Sequence, residues 1–254
     1  MPGRPPIGKP DLNRLRVSFG KDGRLAYLGH IEIINTIMRS VRRAGLPFSV
    51  GNGFARRMRI QFSQALPVGA ASTCECYDLY LTEHVDADEA LAALAASSPT
   101  ALAPTRAAYV GSRLPALEAW LTRSLWQVRI LGSGAHFDAA TLDASLRELQ
   151  EVGSIDFMRG DTPRTIGLAD TLVGWQASDA GEAAGMTAID LTLMTRSSNL
   201  GALRPAVLLD AAFARPCMGD ALADSMRVLR AGQWHEDDSG RLVEPFDPNI
   251  LWRA

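Results

Sequence analysis

The sequence predicts an α+β protein made of two ferredoxin-like domains in tandem. The chain has 254 residues, roughly twice the usual length of a single domain. In its first half, strand-like and helix-like segments follow one another in the order β-α-β-β-α-β, which is the ferredoxin-like pattern. A comparable alternation begins again near residue 125. The length and the repeated order of elements together indicate two domains of similar size.

The first predicted strand shows the period of two that is typical of a half-buried strand. Leu15, Val17 and Phe19 would face the core, whereas Arg14 and Arg16 would face solvent. The turn "GKDG" ends this strand.

A helix is predicted from His30 to Ala44, because apolar residues recur there at steps of three and four. Its apolar face would consist of Ile31, Ile34, Ile37, Met38 and Val41. Further strands are expected in "PFSVGNGF", "MRIQFSQALPVG", "ECYDLYLTE" and "ALAPTRAAYVG". Between the last two lies a helix for which Asp86 is a plausible N-cap.

In the second half, "SLWQVRILG" and "TAIDLTLMTR" are predicted strands, while "DAATLDASLRELQEV" and "RPAVLLDAAFA" are predicted helices. Pro205 is compatible with the first turn of the last helix. The predicted divisions are a disordered leader 1–13, a first domain 14–112, a linker 113–124, a second domain 125–233 and a tail 234–254.

Composition indicates a cytoplasmic globular protein. Hydrophobic residues make up 47% and charged residues 21%, and the formal net charge is -2. Any binding of nucleic acid would therefore depend on a local basic patch. No apolar run is long enough to span a membrane, and the first residues lack the apolar region of a secretory signal. The three cysteines are too few for a disulfide framework, and no metal site is predicted.

A basic cluster in "GFARRMR" is the clearest candidate binding feature of the first domain. It contains Arg56, Arg57 and Arg59, and Lys21 adds to the positive charge of this domain. Arginine suits phosphate or carboxylate groups, so RNA or the acidic face of a partner protein would fit. The alternative is a solvated strand edge whose charges prevent aggregation. The aromatic pattern of an RNA-recognition sheet is incomplete here.

Several motifs in the expected order resemble the radical SAM-linked protein family. This domain of unknown function occurs alone or fused behind cobalamin-binding radical SAM enzymes. The matching pieces are "FGKDG", "YLGH", "RRAGLP", "GNGF" and "ALPVG", together with "GALRP" in the second half. Where the family commonly has an Asn-Pro-His-Pro run after "GF", this chain reads "ARRMR". The resemblance covers about residues 14 to 210.

The resemblance implies further candidate residues. Tyr27, His30 and Asn52 would lie with the arginine cluster on a face that contacts a partner or ligand. His30 has the alternative of a histidine at the edge of the core. Arg204 in "LRP" precedes a helix and could reach a ligand, or else pair with a carboxylate such as Asp210.

The leading functional hypothesis is an accessory protein that docks a radical SAM enzyme, or presents its substrate, in the cleft between the domains. This chain lacks the Cys-x3-Cys-x2-Cys run of such enzymes, so the resemblance assigns S-adenosylmethionine, the iron–sulfur cluster and cobalamin to the partner. One alternative is an RNA-binding module in RNA modification or processing. Another is an enzyme that acts on a small metabolite in the interdomain cleft. No catalytic residue stands out, and no cofactor is predicted for this chain.

Overall fold

The computed structural model describes residues 12–51, 53, 56–198 and 201–251. Within these ranges the protein is a mixed α and β structure with a ten-stranded, mostly antiparallel sheet. The α+β class predicted from the sequence is therefore confirmed. Residues 1–11 of the predicted leader lie outside the described residues, and the first strand begins at Asn13.

The described residues of the first half form four strands and two long helices. In chain order they are β1 (Asn13–Lys21), α1 (His30–Arg43), β2 (Ile60–Phe62), β3 (Ala70–Leu81), α2 (Ala87–Ser97) and β4 (Pro104–Tyr109). A short 3-10 helix, Gly23–Tyr27, joins β1 to α1. The strands lie in the antiparallel order β4-β1-β3-β2.

The two predicted helices of this half form where expected. Glu32 accepts a hydrogen bond from the backbone nitrogen of Gly29 at 2.8 Å and so helps to fix the start of α1. Asp86 caps α2, as predicted, by accepting from the nitrogens of Asp88 and Glu89. The predicted apolar face of α1 is wrong at Ile31, which is 73% exposed, because Ile33 takes the buried position one turn into the helix.

The second half follows a similar order with an inserted hairpin. Its elements are α3 (Leu117–Trp120), β5 (Arg123–Ser133), α4 (Ala139–Val152), β6 (Ser154–Arg159), β7 (Thr162–Gly167), α5 (Leu168–Thr171), β8 (Leu172–Ala183), β9 (Met186–Ser198), β10 (Gly201–Ala202), α6 (Pro205–Phe213), β11 (Leu222–Glu236) and β12 (Leu242–Val243). The long strands lie in the antiparallel order β8-β9-β5-β11. The β6–β7 hairpin forms a separate two-stranded sheet.

Strand β11 joins the two halves into one sheet. It pairs with β5 along most of its length and, through 228–230, runs parallel to 70–72 at the start of β3. The sheet is therefore continuous between the ranges 14–112 and 125–233. The local sequence pattern predicts no strand over 222–236.

The segments predicted as linker and tail pack on the outer face of the first half. Helix α3 lies within the range 113–124, and its Trp120 packs in a small core with Val243 and Phe246. The guanidinium of Arg16 donates to the carbonyl oxygen of Pro245 at 2.9 Å. The described part of the tail thus covers one face of the sheet.

This covering overturns the expectation that Arg14 and Arg16 face solvent. Their exposed fractions are 2% and 0%. Arg14 donates to the carbonyl oxygens of Leu114 and Pro115 at 2.6 and 2.7 Å, so it contacts the linker directly. The polar face of β1 is buried because the linker and the tail cover it and supply hydrogen-bond acceptors.

Candidate functional site: an arginine-lined cleft between the halves

One cluster of buried charges in the first half centres on Asp78 of β3. Arg16 lies directly opposite Asp78 in the β1–β3 register and donates to it through Nε at 2.8 Å and Nη2 at 3.0 Å. Arg14 donates to the same carboxylate at 2.9 Å. The ring of Trp120 lies 4.8 Å from the Arg16 guanidinium and completes its surroundings. All donors are turned inward, so this cluster holds the fold together and offers no binding group to solvent.

A second buried ion pair links the two halves. Arg230 of β11 donates to the Glu75 carboxylate of β3 through Nε at 2.8 Å and Nη2 at 2.6 Å. The same Nη2 donates to the carbonyl oxygen of Gln64, and Ser63 donates to Glu75 at 3.1 Å. Because Arg230 also lines the large cleft described below, this pair ties the floor of that cleft to the first half.

On the other side of Glu75 lies a small cavity of about 20 Å³. Two predicted site residues, Lys21 and His30, line it together with Glu75, Phe62 and Ser63. Lys21 ends β1 and donates to the carbonyl oxygen of Leu28 at 3.0 Å, while its side chain is buried. His30 is the first residue of α1 and meets the Phe62 ring edge-on, with 6.1 Å between ring centroids. A space of this size accommodates one water molecule, which makes it too small for an organic ligand.

Burial shifts the titration of both residues. Desolvation lowers the pKa of Lys21 and of His30, and the positive charge of Arg230 acts in the same direction. The nearby Glu75 carboxylate opposes the shift of both groups. His30 is therefore held toward its neutral form at the edge of the core.

The other first-half candidates do not join this cavity. Tyr27, at the end of the 3-10 helix, is 73% exposed. Arg56 and Arg57 are exposed, and Arg59 is half-buried in the segment before β2. Arg56 has a positive φ of 40°, a conformation that is uncommon for a residue with a side chain. Asn52 lies outside the described residues.

A much larger cleft, of about 450 Å³, lies between the halves. The segment 64–67 forms one wall, and the β6–β7 hairpin and the start of α6 form the other. The amide of Gln64 donates to Ser197 Oγ at 2.7 Å and so connects the first wall to the end of β9. Neither the Lys21–His30 pair nor the Arg56–Arg59 segment lines this cleft.

Three exposed arginines, Arg159, Arg164 and Arg204, line the cleft. Arg204 is the N-cap residue of α6, and its alternative role, an ion pair with Asp210, is not found among the described residues. Among the residues that the structure describes, none of the three arginines forms an ion pair. The cleft therefore presents three guanidinium groups that are available to an anion.

The register of the β6–β7 hairpin explains how two of these arginines reach the cleft. Ile155 lies opposite the buried Ile166, and Phe157 lies opposite Arg164 two positions nearer the tip. Because side chains alternate along a strand, Arg159 shares the face of Ile155 and Phe157. Asp156 points to the other face and accepts a hydrogen bond from Thr165 Oγ1 at 2.6 Å. The alternation thus separates the arginines from this carboxylate.

The surroundings of Cys74 and Cys76 favour a structural role for their thiols. Desolvation raises the pKa of Cys74 to about 11 and that of Cys76 further. Both thiols therefore stay protonated near neutral pH and are poor nucleophiles. Within the described ranges, no group of three or more potential ligands is arranged to hold a metal ion. None of the described helices is both long enough and apolar enough to cross a membrane.

Sequence reasoning identified Arg204 but missed most of this arrangement. In the sequence alone, Arg159 and Arg164 lie in a mixed-charge stretch with Asp156, Asp161 and Asp170, which favours a solvated loop. The hairpin register that separates the arginines from Asp156 cannot be read from composition. Glu75 and Asp78 carry a usable signal, since they are the two carboxylates inside an otherwise largely apolar strand, "CECYDLYL". A charge in such a strand is rarely buried unless it is paired.

The chain belongs to a bacterial protein family. Residues 14–205 match the model described as "Uncharacterized protein conserved in bacteria (DUF2344)". That description assigns no activity or partner, so the link to radical SAM enzymes stays a prediction. No protein of the curated set matches the sequence.

Solved structures show only distant likeness. One is the crystal structure of an unknown protein from Galdieria sulphuraria, with a TM-score of 0.25, 9% identity, and coverage of 86% of this chain and 98% of that chain. Another is a DypB variant in complex with manganese, with a TM-score of 0.21, 11% identity, and coverage of 89% and 96%. Because both TM-scores lie below 0.5, neither carries an argument about this protein.

Proposed function

We propose that this protein is a non-catalytic companion of a radical SAM enzyme that uses cobalamin, and that it acts in the cytoplasm. Its task would be to hold an anionic group of that enzyme, or of the enzyme's substrate, in the cleft between its halves. The observation that carries the proposal is the convergence of Arg159, Arg164 and Arg204 on one cleft without an ion-pair partner among the described residues. The motifs from "FGKDG" to "GALRP" support the choice of partner.

We also propose that each half is a ferredoxin-like unit. The strand order β4-β1-β3-β2 in the first half has its counterpart in β11-β5-β9-β8 in the second. In both halves the first strand in chain order, β1 or β5, lies second in the strand order. The last strand in chain order, β4 or β11, lies next to it at the start of that order. A cleft between two such units would hold an anionic group that comes from another molecule.

The first half offers a docking face beside the small cavity. Tyr27 and Ile31 are each 73% exposed, and His30 lies between them in sequence at the start of α1. Exposed apolar side chains next to a polar group are typical of surfaces that contact another protein. In this proposal the enzyme would contact this face while the cleft holds the anion.

The test is an anaerobic affinity purification of the tagged protein from its own cells, with protein and RNA both identified. Wild type would be compared with Arg204→Glu, and Arg227→Glu, at an exposed arginine of β11 that lies outside the cleft and the docking face, would serve as the charge-matched control. We expect a radical SAM enzyme to be recovered in near-equal amounts with wild type and the control, and to be lost with Arg204→Glu.

Two outcomes would contradict the proposal. Recovery of RNA without an enzyme, weakening steeply with added salt because phosphate contacts release counterions, would favour the RNA-binding alternative. Recovery of the enzyme at the same level with Arg204→Glu would show that the cleft takes no part in the interaction.

A further inference from the structure

The size of the cleft suits a single small molecule. Ligand pockets usually enclose about 300–1,000 Å³, and this cleft encloses about 450 Å³. The described cleft lining contains none of the Arg56–Arg59 cluster, so its exposed positive charge comes from Arg159, Arg164 and Arg204. Three arginines that line a single cleft suit one anionic headgroup better than they suit an extended nucleic-acid backbone.

The cleft also has an apolar part. Phe157, Ile166, Leu203 and Val207 line it beside the arginines. Phe157 is half-buried against the core and lies directly opposite Arg164, so an aromatic surface adjoins a guanidinium. Such a lining favours a ligand with an apolar, planar body and an anionic end.

The number of arginines indicates which anionic group the ligand of this cleft would carry. One guanidinium can bind a carboxylate through two parallel hydrogen bonds. Three arginines can together satisfy the three terminal oxygens and the double charge of a phosphate monoester. Glu118 is a carboxylate at the rim of the same cleft and would disfavour an anion placed on its side.

From this arrangement we propose that the cleft binds a small phosphate monoester with an aromatic or similarly flat apolar body. Arg159, Arg164 and Arg204 would bind the phosphate, and Phe157, Ile166 and Val207 would contact the body. This inference rests on the proposed function only in that the cleft holds an anion, and it names the class of that anion.

The experiment measures binding of phenyl phosphate, inorganic phosphate and benzoate to the full chain by titration calorimetry. We expect phenyl phosphate to bind at least about tenfold more tightly than either of the others, since inorganic phosphate lacks the apolar body and benzoate lacks the phosphate. The double variant Arg164→Gln/Arg204→Gln should weaken phenyl phosphate binding by at least about tenfold, because charged hydrogen bonds are lost. The control Arg39→Gln, an exposed arginine of α1, should leave it unchanged.

Other results would overturn the inference. Equal affinity for phenyl phosphate and inorganic phosphate would show that the apolar part has no role, and tighter binding of benzoate would make the ligand a carboxylate. An oligouridine that binds more tightly than phenyl phosphate, and depends on Arg56 and Arg57, would favour RNA.

The two proposals fail in different ways. If phenyl phosphate does not bind but the enzyme is still recovered through Arg204, this inference fails and the companion role stands. If phenyl phosphate binds as expected but no enzyme is recovered, the ligand class stands and the companion role fails.

Discussion

At the scale of single residues, the Glu75–Arg230 pair should be much more important for stability than an exposed pair. Replacing Glu75 with Gln leaves the buried Arg230 guanidinium without a counter-charge, and breaking a buried ion pair in this way typically costs about 3–5 kcal/mol. Urea unfolding would measure the loss.

The matched control is Asp190→Asn, which breaks the pair that Arg129 and Asp190 form with both side chains largely exposed. We expect a far smaller change there, because water already screens this pair. Equal losses in the two variants would show that the Glu75–Arg230 pair is not buried in solution.

His30 should make stability depend on pH. Its ordinary pKa is 6.5, and burial lowers the pKa in the folded chain. Below pH 6.5 the unfolded chain takes up a proton that the folded chain resists, so the free energy of unfolding falls as pH drops through this window. Above it, both states carry a neutral histidine and this contribution is constant.

The check is urea unfolding of wild type and His30→Asn at about pH 7.5 and about pH 5.5. Wild type should lose more stability on acidification than the variant does. Glu75, Glu118, Arg230 and Lys21 are present in both proteins, so their own titration largely cancels in the comparison. Identical losses would mean that His30 titrates normally.

Residue-level patterning predicted some buried positions and not others. Leu15, Val17 and Phe19 are buried as their alternation indicated. Arg14 and Arg16 alternate in the same way, but the residues that bury them are more than sixty positions distant in sequence. Periodicity reports only which residues share a face, and not what covers that face.

At the scale of elements, the close packing of β5 against β11 makes Gly132 a sensitive position. A Cβ added there would overlap the carbonyl oxygen of Leu222 and the ring of Phe137. We expect Gly132→Ala to destabilise the protein by about 1–3 kcal/mol, because β11 and Phe137, which lies just before α4, would both have to move.

Gly174 provides the control, since it also lies in a strand, β8, but an added Cβ there meets no atom within 4 Å. Thermal unfolding of both alanine variants makes the comparison. A midpoint of Gly132→Ala as high as that of Gly174→Ala would contradict the close approach of β11 to β5.

The elements that the sequence predicted well carry their own local signals. α1 and α2 have clear starts at Gly29 and Asp86, and β9 shows a sustained alternation. β11 lacks such a signal, because its segment mixes charged, small and apolar residues without a regular period. Its position is set by pairing with β5 and β3, which are contacts that a local pattern does not report.

At the scale of the whole molecule, six arginines fall into two contrasting groups. Arg14, Arg16 and Arg230 are buried, and they connect the first half to the linker, the tail and β11. Arg159, Arg164 and Arg204 are exposed around one cleft. A basic residue count alone gives both groups the same weight, whereas the fold buries the first group in ion pairs and leaves the second exposed, without an ion pair among the described residues.

The most direct test of this division is to modify the folded protein with phenylglyoxal, which reacts with accessible arginines. The modified sites are then identified by peptide mass spectrometry. We predict that the three cleft arginines react, that added phenyl phosphate protects them, and that Arg14, Arg16 and Arg230 react only after unfolding. Reaction of Arg230 at the rate of Arg204, or cleft arginines that phenyl phosphate leaves unprotected, would contradict the account.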